Sequence, residues 1–231
     1  GLHRRRAGGR VAELERQAQG LEASTGIAHT RWATHGAPSE GNAHPHVSGG
    51  LAVVHNGIIE NYAEIKTELL AKGYAFTSDT DTEVVAHLVQ DILKTTPDLF
   101  EAVRLGVNRL RGAYALALLR EGDARAVVAR NGAPLLLGLG EDGNYAASDA
   151  SALLQVTRRM VYLEDGDIAE IRRDGIRIVR PDGSAAERTS FESSLSADAV
   201  ELGQYRHYVQ KEIFEQPQAL ANTLEMITGG A

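Results

Sequence analysis

The stretch HTRWATHGAPSEGNAHPH, His29 to His46, gathers four of the chain's eight histidines, its one tryptophan, an arginine and two threonines. Two Gly and two Pro interrupt it, so it reads as a loop and not as a long helix or strand. His44-Pro45-His46 has the H-x-H spacing of some metal sites, and His29, His35 and His55 are near in sequence. Zinc needs three or four ligands converging on one point. No cysteine helps, and no acidic residue sits at a familiar ligand spacing, so no metal ligand set is assigned. Histidines bonded to the loop's own backbone are the plainer alternative.

Recognition of a small polar molecule fits the same residues. Arg31 offers a fork of donors matched to a carboxylate. Thr34 and His35 add hydrogen-bonding groups, and Trp32 can act as an apolar lid. Downstream, TDTE places Asp81 in the first turn of an expected helix. There it either complements the positive helix end or pairs with a ligand ammonium. An Arg for a carboxylate and an Asp for an ammonium are what an α-amino acid requires. Asn56-Gly57 in VVHNGII reads as a tight turn after a strand. An Asn amide beside a flexible Gly N–H also makes two converging donors, the composition of an oxyanion hole.

The elements that must position these groups show in the apolar spacing. RVAELERQAQGLEA predicts a short helix through Val11, Leu14 and Leu21. Leu51–Val54 predicts a strand that turns at Asn56-Gly57, followed by a helix carrying Tyr62, Ile65 and Leu69, paired Glu68–Lys72 and stopped at Gly73. TDTEVVAHLVQDILK predicts a helix with a Thr80–Glu83 capping box, and Leu99, Val103, Val107 and Leu110 form another stripe. From Ala113 the pattern changes to short strands, AYALALL, ARAVVA, PLLLGLG and YAAS, split by turns. A helical piece, ASALLQV, precedes further hairpins at Asp165-Gly166 and Asp174-Gly175. RTSFESSLSADAVELGQ is polar and leads out of the domain. A final helix has Pro217 as a break or a fresh first turn. Helices early and hairpins late predict α+β with two packed antiparallel sheets and helices outside.

The composition is that of a globular protein, 43% hydrophobic and 24% charged over 231 residues. A net charge of -7, with HRRR the densest basic run, argues against a nucleic acid or membrane partner. No apolar run approaches the roughly 18 residues that span a bilayer. The absence of cysteine excludes disulfides and agrees with a reducing cytosol, so a cytoplasmic location is expected. The chain starts with Gly and ends in TGGA, and both ends read as cut from something longer.

GIAHTRWATHGAPSEGNAHPH, VVHNGIIEN and SDTDTEVVAHL, in this order, resemble the glutaminase domain of class II glutamine amidotransferases. RGAYALALL, SDASALL and YLEDGDIAEI extend the likeness over nearly the whole chain. The resemblance implies an N-terminal-nucleophile hydrolase fold, a four-layer αββα sandwich of antiparallel sheets, here lacking its first strands. It implies that Arg31 binds the α-carboxylate of glutamine and Asp81 its α-ammonium. Thr34 and His35 would line the pocket, with Trp32 on the loop that closes over it and His44 steadying that loop. Asn56 and Gly57 would form the oxyanion hole. No metal or organic cofactor is implied.

YRHYVQKEIFEQP and the form of the histidine loop resemble the members that aminate fructose 6-phosphate through a following sugar-phosphate isomerase domain. The loop disfavours the amidophosphoribosyltransferase and asparagine synthetase branches. Residues 1–200 are expected to form the amidotransferase domain, and 201–231 a linker and helix leading to an isomerase domain absent from this chain. The whole protein is expected to be a homo-oligomer. One departure stands out. The family's nucleophile is an N-terminal Cys whose own amine is the base, and this chain has none. Its start matches a point a few dozen residues into the family's domain. The chain is therefore expected to be an inactive, poorly stable piece. The alternative is a degenerate module that binds glutamine without hydrolysing it.

Overall fold

The computed structural model describes residues 1–194 and 205–228, without the side chains of 208, 218 and 221–228. The chain divides into two compact units, Gly1–Ser193 and Ser194–Ala231. The boundary expected at residue 200 falls within 195–204, outside the described residues.

The first unit is built on two sheets. The larger comprises β1 (His46–Ser48), β2 (Leu51–Ile59), β3 (Gly112–Arg120), β4 (Ala126–Asn131), β8 (Ile168–Arg172) and β9 (Gly175–Val179), adjacent in that order. The smaller has the order β10 (Phe191–Glu192), β7 (Arg159–Tyr162), β5 (Leu136–Leu139), β6 (Asn144–Ala147). Every ladder in both sheets is antiparallel. The helices are α1 (Val11–Ala18), α2 (Tyr62–Ala71), α3 (Glu83–Leu93) and α4 (Leu99–Val107).

Strand alternation sorts the side chains into two cores. On β3, Tyr114, Leu116 and Leu118 join Val84, Leu88, Phe100 and Val103 of the helices in one cluster. Ala115, between them on the opposite face, joins Leu135, Leu137 and Val161 in the cluster between the sheets. The central strands are thus covered on both faces, as the continuous apolar runs require. Burying each such Leu contributes roughly 1.5–3 kcal/mol against leaving it exposed.

Charge also joins helix to sheet. Asp98, the N-cap of α4, accepts from Glu101 N at 3.0 Å and meets Arg125 Nη2 at 2.9 Å. Arg125 also bonds Asp123 at 2.8 Å and Glu170 of β8 at 2.7 Å, and Arg172 bonds Glu170 at 2.7 Å.

Several expectations are corrected. The chain does not turn at Asn56-Gly57, because β2 runs on to Ile59 with Asn56 opposite Ala115 and Gly57 opposite Tyr114. The Thr80–Glu83 capping box does not form. The N-cap of α3 is Thr82, and the Glu83 carboxylate turns back to Thr77 and Ser78. Asp81 accordingly lies before the helix and not in its first turn. Helix α1 buries no residue, and Leu21 falls beyond it.

ASALLQV supplies only a 3-10 turn, Ala150–Leu153, on the outer face of the smaller sheet where Leu153 meets Gly138. In the second unit, α5 (Tyr208–Thr228) continues through Pro217. A proline forfeits one N–H and crowds one carbonyl, which a long helix can absorb.

Candidate functional site

The distal end of β2 carries the first group of site residues. Gly57 sits at φ +131, and a Cβ there would lie 2.0 Å from the Ala113 carbonyl oxygen. Only glycine lets β2 approach β3 this closely, which is why Asn-Gly stands inside a strand. His55, one residue before Asn56, is 3% exposed and bonds Thr82 Oγ1 at 3.0 Å through Nδ1. The Asn56 side chain is exposed.

The turn SDTDTE, Ser78–Glu83, meets this strand end. Ile59 N–H donates to Asp81 Oδ2 at 2.8 Å, and the Nδ1 atoms of His35 and His55 each lie 4.0 Å from an Asp81 oxygen. The Nδ1 of His35 is buried and has no hydrogen-bond partner among the described residues. Thr80 Oγ1 bonds His46 Nε2 at 2.9 Å and Ser78 Oγ at 3.0 Å. Ser78 Oγ in turn donates to Glu83 Oε2 at 2.7 Å.

The histidine loop forms the third wall. Arg31 donates to Ala37 O at 2.9 Å, to Gly36 O at 3.2 Å and to His35 O. Three of its five N–H groups therefore hold the loop's own carbonyls, which leaves two. Trp32 is 91% exposed and covers nothing, and Thr34 is exposed at the rim. His44 Nδ1 accepts from His55 N–H at 3.3 Å, and its ring lies tilted against that of His29 with the centroids 4.2 Å apart.

These walls enclose a cavity of about 300 Å3. All eight residues nominated from the sequence line it: Arg31, Trp32, Thr34, His35, His44, Asn56, Gly57 and Asp81. Arg31 is the only Arg or Lys among its lining residues, and Asp81 the only Asp or Glu.

A model described as a glutamine amidotransferase domain matches residues 29–155, more than half of the chain and every residue that lines this cavity. The chain belongs to the glutamine amidotransferase domain family. Its similarity to glutamine–fructose-6-phosphate aminotransferase [isomerizing] is 56% identity over 97% of this chain for the protein of Acidithiobacillus ferridurans. For Vibrio cholerae the figures are 52% and 97%, and for Pseudomonas putida 54% and 97%. The chain spans 37% of the length of these relatives. Among solved structures, glutamine phosphoribosylpyrophosphate amidotransferase from B. subtilis, complexed with ADP and GMP, superposes with a TM-score of 0.54. It is 29% identical and covers 68% of this chain and 35% of its own. The antiparallel α+β sandwich is therefore that of the N-terminal-nucleophile amidotransferases.

Within this amidotransferase domain burial lowers the pKa of His29, His44, His46 and His55. Burial pushes His44 down to about 2, with His29, His46 and His55 adding repulsion. Burial likewise lowers His46 and His55 to about 4, although Glu83 and Asp81 respectively pull the other way. Burial alone would raise the Glu83 carboxyl, yet donors from His87, Ser78 and Thr77 hold it well below the ordinary value. With His29, His44 and His55 disfavoured as cations, Arg31 and Asp81 stand as the one basic and one acidic residue of the cavity.

Six lining residues were not nominated from the sequence: His29, Thr30, His55, Ile58, Thr80 and Thr82. For His55, Thr80 and Thr82 a signal existed, as a lone His ending an apolar strand and as acid–hydroxyl alternation in SDTDTE, which the capping-box reading absorbed.

Proposed function

We propose that this cavity binds free glutamine and glutamate, and that in the whole protein it is where the glutamine amide is hydrolysed. The observation that carries this reading is the charge content of the cavity, one guanidinium and one carboxylate among histidine, threonine, asparagine and apolar walls. Arg31 takes the α-carboxylate with its remaining donors, while Asp81 takes the α-ammonium. The unpartnered Nδ1 of His35 lies beside Asp81 and supports a polar ligand there. Thr34 lines the rim, Trp32 closes over the ligand, and His44 steadies the loop. The Asn56 amide and the Gly57 N–H receive the oxyanion of the tetrahedral intermediate, where losing one donor typically costs about 2.7–4 kcal/mol.

The released ammonia passes to fructose 6-phosphate and gives glucosamine 6-phosphate, through a sugar-phosphate isomerase domain beyond this chain. The relatives' names and the 56% identity support that assignment. The 231-residue chain contains no cysteine and therefore no thiol nucleophile. Removing the nucleophile from such a unit costs on the order of 10⁶-fold in rate. Ammonia release from glutamine by this chain is accordingly expected at background, and near-normal turnover overturns that statement.

The test of the site is calorimetric titration of glutamate into the chain. Uptake is expected, with loss of the heat in Arg31→Ala and in Asp81→Ala. Binding that survives both substitutions overturns the reading.

A further inference from the structure

The two charged groups of the cavity sit on separate arms, Arg31 on the histidine loop and Asp81 on the Ser78–Glu83 turn. One side chain that does not line the cavity joins these arms. Asn42 is 4% exposed. Its Nδ2 donates to Ala37 O at 3.1 Å and to Asp79 Oδ2 at 3.3 Å, and its Oδ1 accepts from Asp79 N–H at 3.0 Å.

On the loop side, Ala37 O is shared by Asn42 and Arg31. Gly36, at φ +74, packs so tightly on Asn42 that a Cβ would stand 2.6 Å from its Nδ2. On the other side, Asp79 lies two residues before Asp81 in the same turn. The Asn42 amide thus touches the carbonyl that holds the guanidinium and the turn that holds the carboxylate.

We propose that Asn42 is a positioning residue that fixes the separation of Arg31 from Asp81 and so selects amino acids with carboxylate and ammonium on the same carbon. The inference rests on the amino-acid-binding reading of the cavity and goes beyond it to specificity. A preformed spacing discriminates because a ligand whose ammonium lies one carbon further cannot satisfy both poles without moving an arm. Once the arms are free to shift, that penalty shrinks while the affinity for the matched ligand falls. A residue that merely contributes to folding would weaken both ligands alike.

The experiment titrates glutamate and 3-aminoglutarate, whose ammonium is displaced by one carbon, into the 231-residue chain. Asn42→Ala is expected to bind glutamate about tenfold more weakly. Its affinity for 3-aminoglutarate is expected to change by less than about twofold, so the preference collapses. Asn42→Ser, a milder change, is expected to narrow the preference in the same direction. The exchange Asn42→Asp with Asp79→Asn keeps an acceptor for the residue 79 N–H and a side-chain pair across the arms. Having lost the donor to Ala37 O, it is expected to restore the preference only in part.

Equal weakening of both ligands in Asn42→Ala and Asn42→Ser, or an unchanged preference, overturns the inference and leaves the cavity reading intact. A wild-type chain that takes up neither ligand overturns the cavity reading, and this inference with it.

Discussion

Leu51, Ala52, Val53 and Val54 are 0–7% exposed, whereas Ile58 in the same strand is 41% exposed and Asn56 beside it also faces solvent. The first half of β2 is held by packing: Leu51 and Val53 press into the cluster beneath α2, α3 and α4. In the second half Ile59 joins the same cluster, and directed bonds are added, from Ile59 N–H to Asp81, from His55 to Thr82 and between His55 N–H and His44. Packing is non-directional and tolerates approximate shapes. Hydrogen bonds fix orientation and leave polar faces free to meet a ligand. A single strand thus anchors the core and also presents the cavity through Asn56 and its neighbours, and substitutions should separate the two roles.

The largest effect is expected where both demands meet. Gly57→Ala adds a Cβ at 2.0 Å from a backbone oxygen at a φ of +131. A loss of more than about 3 kcal/mol in chemical denaturation is expected, and a loss below 1 would break the claim that only glycine fits here. In the packed half, Leu51→Ala should cost about 3 kcal/mol. Glutamate affinity measured well below the unfolding transition should stay unchanged. A matching loss of affinity would mean that the two halves are not separable.

Acid should act on the polar half. In the unfolded chain His44, His46 and His55 titrate near 6.5, whereas in the folded chain burial lowers them to about 2, 4 and 4. Between pH 6.5 and 4 the unfolded state therefore takes up protons that the folded state refuses. Stability is full above that window and falls as pH drops through it, by up to about 1.4 kcal/mol per pH unit for each histidine. The thermal midpoint should fall between pH 7 and 5, and His46→Gln should flatten the slope. A midpoint independent of pH would sink this account. The smallest change is expected at Asn56→Ala, within about 0.5 kcal/mol of wild type in stability, because that side chain is exposed.

The packed half was the more legible in sequence. The Leu51–Val54 run, the α2 stripe with Ile65 and Leu69, and the late hairpins carry their periodicity in the residues themselves. Of the polar half, the loop and the acidic turn were legible as motifs, and the cavity brings them together. Their detailed bonding was not. Thr80 and Glu83 satisfy a local capping rule, but His46 and the Thr77–Ser78 backbone compete for the same groups from outside the helix. Asn56-Gly57 fits a turn equally well until β3 is present to pair with it. Asn42 looks like any polar loop residue, because its partners, Ala37 and Asp79, come from two separate segments.

The Arg125 junction has an uneven charge count. Two guanidinia, Arg125 and Arg172, answer three carboxylates, Asp98, Asp123 and Glu170. Arg125 is the member that reaches all three acids, from the cap of α4 to β8. Its removal would forfeit an attraction and also turn the seam between helix layer and sheet into a site of mutual repulsion. Lysine, a point charge without the planar fork, could not span the three positions. The start of α4 is thus tied to the sheet by Arg125 together with the Arg120 bond to Pro97 O, and its far end by Arg104 and Asn108 to Pro181 O.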